Sequence, residues 1–247
     1  MLPELNQRIG EKMNTKSLLD QLLKSGNDVL QNNSKSKYRD NNSLTDTLSS
    51  ALSGRGGAAL AGGALGLLLG SKSGRKMGGK VLTYGGLALL GTLAYKAYQN
   101  HQKNSNSNST ENIKPLNQLS ANETESHSKI ILIALIAAAK ADGHIDEREQ
   151  QLIDIEIAKM TSDSELHKWL QNELKKPLDP SEVARYAVDQ SMASEMYLAS
   201  LLTVDRQNFM EKTYVEELAK QLKIPITLKA ELEQQATVAL ANADENV

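Results

Sequence analysis

Residues 129–149 read KIILIALIAAAKADGHIDERE, and the fold turns on what this stretch becomes. Lys129 to Ala141 is apolar on nearly every side of a 3.6-residue helix, as expected of a helix at the centre of a core rather than on its wet rim. The turn Asp142-Gly143-His144 breaks it. Asp146 then opens a second helix (DEREQQLIDIEIAKM), whose acidic first turn complements the helix dipole. Further along, Ser162 and Glu165 have the spacing of a capping box for a third helix. Asp179, Pro180 and Glu182 supply the cap, first-turn proline and N3 carboxylate of a fourth. More helices are expected from about Ser191, from Asn208 to Leu222, and from Pro225 or Thr227 to about Asn242. No stretch alternates strictly with period two, so the expectation is an all-α domain over residues 127–247 with no sheet.

Toward the N-terminus the character of the chain changes. Residues 99–126, with NHQKNSNSNSTEN near their start, are too polar to bury a face and read as a disordered Asn/Ser-rich linker. Residues 27–53 read as a second disordered linker, because isolated leucines cannot offset the ordering entropy of the backbone. Residues 1–26 hold a short amphipathic helix, SLLDQLL, with Leu18, Leu19, Leu22 and Leu23 on one face and Gly26 as a stop. Between the linkers lies a Gly-rich middle, residues 54–98. It contains sixteen uncharged residues between Arg55 and Lys72 and fifteen between Lys80 and Lys96. As helices these would reach roughly 22 to 24 Å, short of the ~30 Å hydrocarbon layer, so each is a marginal span. Ala58, Gly62, Gly66 and Gly70 repeat every four residues, the glycine-zipper face that lets helices approach closely in lipid. The basic loop with Lys72, Arg75, Lys76 and Lys80 suits anionic headgroups, and Tyr95 and Tyr98 suit an interface. A buried Gly/Ala hairpin in a soluble core is the competing reading. The membrane reading predicts a helical hairpin, either spanning with both ends outside or re-entrant with both ends in the cytoplasm.

Composition narrows the function classes. The chain has 247 residues, no cysteine, one Trp, one Phe and 4% aromatics, which excludes disulfides, thiolate metal sites and a cysteine nucleophile. Residues 1–126 carry 15 basic and 9 acidic side chains, net +6, whereas residues 127–247 carry 13 and 21, net −8. An acidic domain argues against nucleic acid as a partner, and a basic, apolar first half argues for membrane lipid. The first residues, with Glu4, Arg8, Glu11 and Lys12, lack the apolar core of a signal peptide, so insertion would be directed by the middle segments.

One polar constellation could hold a ligand. Asp142 to Glu149 matches positions five to twelve of a calcium-binding EF-hand loop, but positions one and three fall on Ala138 and Lys140, which removes two ligands and adds a positive charge. A second helix end, at Asp205 with Glu211 six residues on, echoes the first. If a pseudo-twofold brings Asp142, Asp146 or Glu149 near Asp205, their carboxylates make a pocket for a hard divalent cation. Otherwise each caps a helix, with Gly143 ending one and Ile145 stapling the turn to the core. No catalytic residues emerge: His144 and His167 are counted as the histidines of the folded domain, His167 reads as a solvated surface group, and no nucleophile and base share a suggestive spacing. The expectation is a protein that is not an enzyme and has no cofactor beyond a divalent metal ion.

The run LLLGSKSGRKMGGKVLTYGGLALLGTLAYKAYQ (residues 67–99), then AAAKADGHIDEREQ, SEMYLASLLTVD and EKTYVEELAKQL, resembles the YebE-like family of bacterial inner-membrane proteins of unknown function. The C-terminal half of that family is similar to the TerB domain associated with tellurite resistance. The resemblance covers residues from about 55 to the end. It implies a TerB-like helical bundle joined to a membrane-associated Gly-rich hairpin at the inner membrane, with no established reaction. It also implies a metal-binding role for Asp142, Asp146 and Glu149, with Asp205 a weaker match because Val204-Asp205-Arg206 departs from the expected pattern. Partners in that picture are lipid, other membrane or stress-response proteins, and further copies of the chain through the Gly-rich helices.

Overall fold

A computed structural model describes residues 14–19, 90–102, 119–141, 151, 154–155, 158, 161–204 and 208–245. All regular structure among them is helical: α1 (residues 15–19), α2 (90–102), α3 (Ala121–Ala139), α4 (Ser164–Lys175), α5 (Pro180–Ala184), α6 (Gln190–Thr203), α7 (Phe209–Gln221) and α8 (Ile226–Glu245). Residues 151, 154, 155 and 158, within the second helix expected from the sequence, are also helical. The Gly-rich stretch up to residue 89, the linker 27–53 and the turn 142–150 lie outside the described residues.

The centre is the α3–α6 pair. From Ile130 to Ala138 every residue of α3 is buried, and from Met192 to Thr203 every residue of α6 is buried. A helix enclosed on all sides must silence its polar side chains. In α6 the hydroxyls of Ser194, Ser200 and Thr203 donate back to the carbonyls of Gln190, Met196 and Ala199 at 2.7, 3.0 and 2.8 Å. No buried hydroxyl among these is left wanting, and the helix can carry them at little cost. Around the pair, α4 contributes Leu166, Leu170 and Leu174, and α8 contributes Leu228, Leu232 and Ala236, each a stripe at four-residue spacing. Full burial of one such leucine contributes about 1.5–3 kcal/mol.

The caps explain where helices begin. α3 starts two turns earlier than its apolar run, because Ser120 and Glu123 form a capping box: the Glu123 N–H donates to Ser120 Oγ at 3.3 Å, and the Ser120 N–H to Glu123 Oε2 at 2.8 Å. The expected box at Ser162 and Glu165 does not form. Asp163 is the cap of α4 instead, its carboxylate accepting from the N–H groups of Glu165 and Leu166 at 3.0 and 3.1 Å. Asp179 caps α5 as expected, with Pro180 in the first turn, and Asn208 caps α7. α7 ends in a Schellman motif. The Ile224 N–H reaches the Ala219 carbonyl and the Lys223 N–H the Lys220 carbonyl, both at 3.0 Å, with Lys223 in the left-handed region at φ 54°.

Two elements far upstream join this bundle. Leu90, Ala94, Ala97 and Tyr98 of α2, one helical face, are buried in the common core. A Cβ at Gly91 would meet Glu195 Oε2 of α6 at 3.8 Å. Asn100 Nδ2 donates to Glu231 Oε2 of α8 at 3.2 Å, and His101 Nδ1 lies 3.0 Å from the Thr227 hydroxyl. Residues 99–102 and 121–126, read from composition as the ends of a disordered linker, are therefore helical, and Tyr98 sits in protein rather than at a lipid interface. The physical reason is that a Leu/Ala/Tyr stripe looks the same whether lipid or protein covers it. α1 docks through buried Leu18 and Leu19, while Thr15 binds the Glu125 carboxylate through its N–H and hydroxyl, the hydroxyl also lying 3.1 Å from the Glu125 carbonyl.

Candidate functional site

Asp142, Asp146, Glu149 and Asp205 fall outside the described residues, so their convergence is not part of what the structure describes. Its approaches are. α3 ends at Ala139, and the N–H of Ala141 returns to the Ala138 carbonyl at 3.0 Å, which delivers the chain to the turn as the Asp142-Gly143 signal implies. Ala138 is in the core, and the Lys140 ammonium turns to the carbonyls of Glu173 (3.4 Å) and Lys176, so neither EF-hand position one nor three offers a ligand. Glu211, in the first turn of α7, is buried. Among the described residues no three His, Asp or Glu side chains gather to hold a metal ion.

A different polar cluster does assemble. The end of α3, the end of α4, residues 176–179 and α5 surround a cavity of about 260 Å³. Ile133, Ile136, Ala137 and Val183 form apolar walls, with Lys140, Glu173, Lys176 and Tyr186 as polar lining. Glu173 is 7% exposed and pairs with Lys176 at 2.6 Å. Burial holds the Lys140 ammonium below its ordinary range; Glu173 opposes that shift and the like charge of Lys176 adds to it. Lys129, on the same helix and 5.1 Å over the Trp169 ring, is lowered for the same reasons, burial first. For Lys176 burial also pulls downward, but hydrogen bonding and charge from Glu173, with help from Tyr186, prevail and hold it above its ordinary range. Sequence reading missed this cluster. Its one signal was Lys140, a cation just past an apolar helix, which spacing alone could not connect to residues 33 and 36 positions later.

The second missed pair is His127 and Glu195. Nε2–H of His127 donates to Glu195 Oε2 at 2.7 Å, and both side chains are largely enclosed, at 11% and 7% exposure. The pair ties α3 to α6 directly beneath Gly91 of α2. His127 thus joins the histidines of the folded domain. His167, expected in solvent, is half-buried, and its Nε2 is enclosed with no hydrogen-bond partner among the described residues.

These features define a helical bundle whose central helices carry paired, buried ionisable groups. The chain belongs to the family described as protein of unknown function (DUF533), whose pattern matches residues 54–236. A similar protein from Yersinia enterocolitica, described as an uncharacterized protein in the ampR 5' region, is 33% identical over 104 residues, 42% of this chain and 75% of its own length. No solved structure matches the chain. The match spans the Gly-rich region and the bundle together, in keeping with the packing of α2 on α6 and α8. Among the described residues no helix is long and apolar enough to cross a membrane.

Proposed function

We propose that the chain is a membrane-associated, non-enzymatic protein that holds an acidic, TerB-like helical domain next to the lipid surface, where that domain engages other envelope or stress-response proteins. The observation that carries this reading is continuity. The second uncharged stretch, residues 81–95, overlaps α2 from residue 90 on, and the apolar face of α2 is seated in the bundle. A Gly-rich segment that contacts lipid would hold the domain close by, because α2, which follows it directly in sequence, is part of that domain's core. The basic loop at Lys72 to Lys80 supports the same reading through its attraction to anionic headgroups.

Carbonate-washed membranes test it. The full chain is expected to stay with the membrane, and a chain lacking residues 54–89, which keeps α2, is expected to be released. Recovery of both in the soluble fraction would remove the proposal. The alternative function, a divalent-cation sensor acting through Asp142, Asp146, Glu149 and Asp205, is separated by calorimetric titration of the full chain. Saturable heat with Ca²⁺, Mg²⁺, Mn²⁺ or Zn²⁺, reduced by Asp142→Asn, would favour the sensor.

A further inference from the structure

We propose that the seat of α1 on the bundle is an exchange surface, and that the partner it fits is the same segment, residues 14–19, of a second copy of this chain. Position in the chain is the first reason. Residues 20–89 separate α1 from α2, the next described element, and seventy residues reach at most roughly 230–250 Å. Sequence neighbourhood therefore does little to keep α1 where it is. What holds it is contact with α3, at a residue 110 positions on.

The contacts are the second reason, because the segment carries its half of them within six residues. Its turn is capped from inside: the Asn14 side chain accepts from the Ser17 N–H and the Asn14 carbonyl from the Leu18 N–H, both at 3.1 Å. Toward the bundle, the Glu125 carboxylate accepts from the Thr15 N–H and hydroxyl and from the Lys16 N–H at 3.2 Å, while Leu18 and Leu19 enter the common core. Such a unit makes the same contacts whether its chain continues to this bundle or to another. Two copies that trade α1 close on each other with twofold symmetry and no open end, a low-cost route to a dimer. Only concentration separates the two arrangements. A connection of seventy residues gives an effective concentration on the order of millimolar at most, above which docking in trans prevails.

Complementation between two defective full-length chains tests it. Leu18→Asp with Leu19→Asp vacates the seat and leaves Glu125 in place, whereas Glu125→Lys spoils the seat and leaves α1 intact. A labelled peptide of residues 12–25 is expected to bind the vacated chain saturably, at least about tenfold tighter than it binds the parent, whose own α1 competes. The same peptide carrying Leu19→Asp is expected to bind the vacated chain at least about tenfold more weakly. Donor-labelled vacated chain mixed with acceptor-labelled Glu125→Lys chain is expected to show energy transfer that excess unlabelled peptide abolishes, which association through any other surface would not show. Should the vacated chain fold poorly, the parent cut at a protease site placed after Gly26, then freed of its N-terminal piece, presents the same seat. No saturable binding of the peptide, equal binding to vacated and parent chains, absence of transfer, or transfer indifferent to the peptide would each overturn the exchange.

Discussion

His127 and Glu195 sit opposite each other on the two helices that every other element surrounds. Removing the imidazole leaves a carboxyl group, 7% exposed, with its partner gone, whereas changing Glu195 to Gln keeps an acceptor of the same shape for the ring N–H. His127→Ala is therefore expected to cost about 3 kcal/mol and Glu195→Gln about 1 kcal/mol or less. Urea unfolding of the two variants beside the parent checks this, and equal losses would show that the contact matters only as packing. Nothing in the sequence marks the pair: the two residues are 68 positions apart, and His127 stands in a polar run that composition assigns to a linker edge. The acidic turn shows the converse. Asp142-Gly143-His144 announces the end of α3 well, because helix termination is a local event, but what its carboxylates face depends on chain brought in from elsewhere.

Elements were legible where their signals were local. Asp179-Pro180 and Asn208 open α5 and α7 as their side chains dictate, through hydrogen bonds to N–H groups two and three residues on. The first turns of α3 were not legible, since ANETESHS has no apolar periodicity and is helical because Ser120 and Glu123 cap it and Glu125 is held by Thr15. The end of α7 is a third kind of case. Its Schellman turn has Lys223 at φ 54°, where glycine is the usual occupant. Lys223→Gly is expected to stabilise the protein by about 0.5–1 kcal/mol, the relief of left-handed strain less the added freedom of glycine in the unfolded chain. Lys223→Val, β-branched in the same conformation, is expected to lower the melting temperature instead. Thermal melts of both variants decide it, and a stabilising valine would contradict the geometry.

At the scale of the whole molecule, the charge split and the packing run across each other. The basic first half and the acidic second half, +6 and −8, are not two separate bodies, because α1 and α2 complete the core of the second. Removing them would uncover surface on α3, α6 and α8, so a chain beginning at residue 119 is expected to melt lower than one beginning at residue 90. Sequence could not reveal this. Hydropathy states that the face of Leu90, Ala94, Ala97 and Tyr98 must be covered, and only the partner's shape says by what.

α2 and α3 lie against the same bundle, so the connection from residue 103 to 118 joins two anchored ends and closes a loop in the chain's topology. The entropy of closing such a loop grows only with the logarithm of its length, and each doubling costs about 0.6 kcal/mol. Extra residues inserted there should thus be tolerated at nearly constant stability, and a protease site placed there should yield two pieces that co-elute until denaturant separates them. Such a chain can be lengthened, labelled or cut at that place while its two halves continue to behave as one body, held by the burial of α2 rather than by the peptide bonds between them.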